Sequence, residues 1–143
     1  MKRGLLLVIA PIGVLLSGVA VRSHVKSEAR KESEASKKRE AVYDSTLRAY
    51  SQKFKPGLTR QEVEEQLRTK NTTYMQLCCL ERSTSVADTV KIGEEGHPWY
   101  CSENYVYIAF EFAAAEPHNL PISAYGNDIL KKVSIFRQLG GCL

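Results

Sequence analysis

No cysteine occurs before Cys78, no glycine or proline interrupts the chain between Gly18 and Pro56, and no C-x-x-C pair occurs anywhere. Each absence excludes something. Without an early cysteine there is nothing to acylate near a signal-cleavage site, so a lipoprotein is ruled out. Without glycine or proline the stretch after Gly18 has no turn signal, which favours one continuous helix. Without C-x-x-C, and with two adjacent cysteines diverging on a strand, no metal centre is expected. Convergent His, Asp or Glu in a recognisable catalytic pattern is also lacking, so no enzyme activity and no cofactor are expected. The net charge of +4 resides in the first 40 residues, which carry nine Lys/Arg against four Glu, and residues 41–143 are close to neutral. A near-neutral domain has no electrostatic footprint for phosphate backbones, so no nucleic-acid partner is expected.

What is present begins with Gly4–Val21, GLLLVIAPIGVLLSGVAV, eighteen residues without a charge after Met1-Lys2-Arg3. A helix of that length measures about 27 Å, close to the ~30 Å hydrocarbon layer, so residues 4–21 are expected to contact the membrane as an uncleaved signal-anchor. The alternative is a cleaved signal peptide with Gly18-Val19-Ala20 as the small-x-small site and secretion to the periplasm. Arg22, Lys26, Arg30 and Lys31 follow the span closely, and counted strictly they favour the opposite topology. Export is nevertheless expected from the short N-terminal tail, the signal-like segment and the cysteine-containing domain together. The expected location is the inner membrane as a single-pass protein, with the domain in the periplasm or otherwise outside the cytoplasm.

Ser23–Glu40, SHVKSEARKESEASKKRE, has ten charged residues in eighteen and cannot be a core element. Pairs such as Arg30/Glu34 and Glu34/Lys38 stand four apart, which supports a solvated helical stalk over a disordered linker. The expected divisions are 1–22 as anchor, 23–40 as stalk and 41–143 as the domain. From Ala41, Tyr43, Leu47, Tyr50 and Phe54 line one face of a first packing helix, ended by Lys55-Pro56-Gly57. Thr59 and Glu62 then form an S/T-x-x-E capping box, and Leu58 with Val63 the hydrophobic staple of a short second helix.

Strand patterns follow at Thr72–Leu80 (Met75, Leu77, Cys79), Val86–Ile92 (Val90, Ile92), Tyr105–Phe112 and Ile129–Leu139 (Ile129, Val133 and Ile135 inward), with Gly93–Pro98 and Ala113–Asp128 as loops. Two helices followed by four strands without βαβ alternation predict an α+β two-layer sandwich, the helices packed on one face of an antiparallel sheet. In the third strand Val106, Ile108, Phe110 and Phe112 take one face and Tyr105, Tyr107, Ala109 and Glu111 the other.

The order of parts and the words PGLTRQEVEEQLR resemble the SmpA/OmlA domain family, that of an outer-membrane assembly lipoprotein. The matching positions are Gly57, Leu58, Thr59, Val63 and Leu67, within an architecture spanning roughly Tyr43–Leu139. The chain departs from the family in having no acylated cysteine, Arg68 where glycine is usual, and four additional cysteines. The resemblance implies the fold and a non-catalytic envelope interaction domain with a protein partner.

Cys78, Cys79, Cys101 and Cys142 read as a disulfide framework in an exported protein. Bonding adjacent Cys78 to Cys79 is disfavoured because strand neighbours diverge. The expected arrangements are Cys101 and Cys142 each joined to one of the adjacent pair, or one long bridge with two free thiols. A thiol-dependent redox sensor using Cys78/Cys79 is the alternative function. The pair His97/Cys101 lies in no nucleophile motif, and with Cys78 and Cys79 it makes no convincing zinc site. Trp99 and Tyr100 complete a core edge or form a recognition platform. Tyr105 and Tyr107 anchor a partner on an uncovered sheet face, or pack across strands.

Overall fold

A computed structural model describes residues 10–78, 80, 86–115 and 124–143, and for residues 10–26 the backbone alone. Ala10–Lys53 is one α-helix, α1, which holds neither glycine nor proline after Gly18. By compactness the chain divides after Val42. In the first unit the charged stretch is helical and exposed, with Arg30 Nε 3.1 Å from Glu34 Oε1. Among the described residues no helix is long and apolar enough to cross a membrane. Residues 4–9 of the expected Gly4–Val21 span lie outside the described residues.

The second unit begins with the last turns of α1. Helix α2 (Arg60–Thr69) and strands β1 (Met75–Cys78), β2 (Val86–Glu94), β3 (Glu103–Ala113) and β4 (Ile129–Gly140) follow. The strands form one antiparallel sheet in the order β1-β2-β3-β4. This is the expected α+β arrangement of two helices on four antiparallel strands.

Helix α2 starts as its sequence dictates. The Thr59 side chain accepts from the Glu62 N–H, and the Glu62 carboxylate accepts from the Thr59 N–H at 2.7 Å. The Arg60 and Gln61 N–H groups donate to the carbonyls of Asp128 and Gly126 at 2.8 and 2.9 Å, so tertiary acceptors satisfy donors that no helix end can satisfy by itself. Gly57 makes the preceding reversal at φ 101°, a left-handed value that suits glycine, and its N–H donates to the Leu130 carbonyl. Asn71, at φ 53°, ends α2.

Between helices and sheet lies the main core: Phe54, Val63, Leu67, Val90, Ile108, Phe110, Phe112 and Leu130 are all buried. Phe54 meets Phe110 edge-on at 5.0 Å and stacks on Tyr50 at 5.9 Å. Tyr43 is buried against Gly93, where an added Cβ would stand 2.5 Å from the tyrosine hydroxyl and 2.7–2.9 Å from its ring. Gly93 therefore makes room for the ring.

Four expectations need correction. β1 is four residues long, and Met75 is exposed where an inward position was expected. β2 continues through Gly93 and Glu94, because a shift in register between Lys91 and Gly93 absorbs one residue and lets the pairing go on. In β4 Leu130, at 1% exposure, takes the deepest inward position in place of Ile129. An irregularity opposite Glu111/Phe112 leaves Lys131 unpaired and reverses the alternation, putting Leu130 on the face of Val133 and Ile135. Finally, the second sheet face is not bare. Leu80, just after β1, packs on Ala87 and Ala109 with Leu77 and Phe136 beside them, and Tyr107 is buried on the same side.

Candidate functional site

The connection from β2 to β3 ends in a tight turn. The Cys101 N–H donates to the Pro98 carbonyl at 2.9 Å, which places Trp99 and Tyr100 at the two central positions. Side chains at those positions point away from the body of the fold. Trp99 is 89% exposed and Tyr100 44%, their rings edge-to-face at 5.8 Å. The core-edge reading of this pair is thereby overturned.

The turn is braced on both sides. At its neck the Glu95 N–H donates to the Asn104 carbonyl at 2.8 Å, and Asn104 Nδ2 donates to the Gly96 carbonyl at 2.9 Å. Beyond it, Cys101 is disulfide-bonded to Cys142, 41 residues away. The Ser102 N–H donates to the Gly140 carbonyl, and the Leu143 N–H to the Tyr100 carbonyl at 2.9 Å. Leu139, 47% exposed near the end of β4, adds apolar surface in the same half of the strand pair. An exposed aromatic pair on a stapled turn loses little conformational freedom when it meets a partner.

The Cys101–Cys142 bond fits neither expected arrangement, one joining each of the two to a member of the adjacent pair and the other leaving two free thiols beside a single long bridge. Cys78 is also disulfide-bonded, and Cys79 lies outside the described residues. No cysteine among the described residues is a free thiol. Cys101 is therefore committed to sulfur and does not pair with His97 as nucleophile and base. His97 Nδ1 is 3.2 Å from the Pro98 carbonyl. Among the described residues no group of three or more His, Cys, Asp or Glu could hold a metal ion.

Tyr105 and Tyr107 fall out of the aromatic surface. Tyr107 is 4% exposed, and burial pushes its phenol above the ordinary value. It stacks near Phe136, its cross-strand neighbour, at 6.5 Å. Tyr105 is half-buried, with Lys91 Nζ 3.4 Å from its ring centre. Both belong to cross-strand packing. Half of the Ala113–Asp128 connection, residues 116–123, lies outside the described residues.

A charged cluster that the sequence reading missed lies inside the domain. Arg60, the first residue of α2, is 2% exposed. Its Nη1 is 2.5 Å from Asp88 Oδ1, its Nη2 donates to the Val86 carbonyl at 2.7 Å, and its Nε lies 3.6 Å from Asp128 Oδ2. The guanidinium covers the Phe112 ring at 4.1 Å. Asp128 in turn accepts from the Tyr125 N–H, closing the turn that leads into β4. Burial raises the Asp88 carboxyl to about 6 against the opposing pull of Arg60. One sequence signal pointed here: in Val86-Ala87-Asp88-Thr89-Val90 the aspartate shares the inward face with two valines, and an inward carboxylate requires a buried partner. The cluster is closed to solvent and ties α2 to β2 and β4.

No protein-family model, curated protein or solved structure matches this chain.

Proposed function

We propose that this is a non-catalytic, membrane-anchored envelope protein of bacterial type, whose α+β domain binds a protein partner outside the cytoplasm. The observation that carries the reading is the Trp99–Tyr100 turn: the sole tryptophan of the chain is 89% exposed on a segment braced by a disulfide. Trp and Tyr are the residues most often found at the energetic centre of protein interfaces, and rigid presentation lowers the entropy lost on association. The disulfide favours an oxidising compartment, and the uncharged Gly4–Val21 run favours delivery there by an anchor. The likeness of Gly57-Leu58-Thr59, Val63 and Leu67 to the SmpA/OmlA helix favours an interaction domain in the envelope.

The test uses the full chain in cells. A photo-crosslinking residue at Tyr100 should give a discrete adduct, and the protein identified in it should bind purified wild type at least about thirtyfold more tightly than Trp99→Ala, the loss typical of an interface anchor. Trp99→Ala should melt like the parent. A discrete adduct from a control position at Glu65, with none from Tyr100, defeats the reading. A periplasmic reporter fused after Glu40 checks the location separately and should be active.

A further inference from the structure

The bridge that braces the Trp99 turn has one half inside the fold and one half outside. Cys101 is buried where the turn ends, whereas Cys142 is exposed, as are all of residues 141–143 after β4. An incoming thiolate can reach the Cys142 side. The segment is tied back by the bridge and by the Leu143 N–H, which donates to the Tyr100 carbonyl at 2.9 Å. Neither cysteine belongs to the two buried apolar clusters of the domain, so opening the bridge leaves the packing between helices and sheet in place. At the neck the bonds from Glu95 to Asn104 and from Asn104 to Gly96 also remain. What opening removes is the far brace of the turn. Exposed disulfides are the ones that exchange with dithiols, whereas buried structural ones resist reduction.

We propose that Cys101–Cys142 is a redox switch on the Trp99 turn: oxidised, it holds the turn ready for its protein partner, and reduced by a dithiol, it lets the partner go. The switch rests on the reading of that turn as an interface. A thiolate of the dithiol attacks Cys142 Sγ, the bond between the two protein sulfurs breaks, and its electron pair leaves on Cys101 Sγ, which takes up a proton. The second thiol of the reductant, deprotonated, then attacks the mixed disulfide and expels Cys142 Sγ, which is protonated in turn. The reductant leaves as a disulfide, and the protein gains two electrons and two protons. Trp99 and Tyr100 thereby regain freedom that association must remove again, at a cost in affinity.

Dithiothreitol is the probe, applied without denaturant to the full chain in neutral detergent micelles, with alkylation and mass mapping of the thiols released. Cys78 is disulfide-bonded as well, so mapping and not a thiol count identifies the bridge that opens. Cys101 and Cys142 should be alkylated together while the near-ultraviolet circular dichroism of the packed tyrosines persists. The partner identified by crosslinking at Tyr100 should then bind about tenfold more weakly, the cost of ordering two freed side chains, and oxidised dithiothreitol should restore it. The variant Cys101→Ser/Cys142→Ser should bind as weakly as the reduced protein and ignore dithiothreitol. Alkylation of the pair only after denaturation in urea overturns the proposal, as does unchanged affinity on reduction or a response that persists in the serine variant. In those cases an adduct at Tyr100 still stands, so the switch falls and the interface does not. Absence of that adduct brings down both, even where the bridge is reducible.

Discussion

Replacing Arg60 with methionine keeps an unbranched apolar stem and removes the guanidinium with its charge, and it should be the most damaging single change at the start of α2. Asp88 and Asp128, at 0% and 2% exposure, would lose their shared cation, and Val86 would lose a donor to its carbonyl. Breaking a buried ion pair from one side costs about 3–5 kcal/mol, out of a total stability of about 5–15 kcal/mol for a domain. The penalty should depend on pH. In the fold the Asp88 carboxyl sits at about 6, above an unfolded value of about 3.9. A group raised in this way contributes its stability fully below the unfolded value and loses it as the pH rises through the folded one. For a shift of about two units this amounts to about 3 kcal/mol between pH 4 and pH 8. Because Arg60 opposes that shift, Arg60→Met should raise the carboxyl further, and its penalty should be smaller near pH 4 than at pH 8. Glu62, held below the usual carboxylate range by the backbone and side chain of Thr59, acts in the opposite sense. Its contribution is lost as the pH falls through that lowered value, so Asp88→Asn serves as the baseline that isolates Asp88. The assay is urea denaturation of the full chain in micelles, followed by near-ultraviolet circular dichroism of the packed tyrosines. Pairing Arg60→Met with Asp88→Leu should recover much of the loss, since an apolar replacement leaves one fewer buried charge. A penalty for Arg60→Met below about 1 kcal/mol at pH 8, or one equal at both pH values, would refute the account of this cluster.

Gly93→Ala should destabilise the domain by about 1–3 kcal/mol, because its methyl would enter the space of the Tyr43 ring. In a double-mutant cycle with Tyr43→Ala, whose smaller side chain clears that space, the two denaturation penalties should be clearly non-additive; additivity would place the strain elsewhere. Replacing Cys101 and Cys142 together with serine releases a loop closed across 41 residues, worth about 4 kcal/mol in the chain-entropy model. Urea midpoints of this variant should fall accordingly, and its affinity for the Trp99 partner should fall as well, through loss of a braced turn; unchanged midpoints would show that the bridge constrains nothing.

Local rules, read from the chain alone, determined the start of α2, the order of two helices before four strands, and the inward face of β3. A capping box is a contact between residues three apart, and strand alternation follows from the pleat, so both are written in neighbours along the chain. Tertiary structure alone decided the rest. The irregularity at Lys131, which moves Leu130 inward, depends on pairing with β3, and the packing of Tyr107 beside Phe136 depends on the register of β3 with β4. Arg60 has an ordinary first-turn position in sequence; it becomes a core residue only because Asp88 and Asp128, 28 and 68 positions away, converge on it. The cysteines show the division most plainly. Their number pointed to an oxidised domain, but which sulfur meets which is a matter of distance in space, and only the return of the chain after β4 to the base of the Trp99 turn brings Cys142 to Cys101.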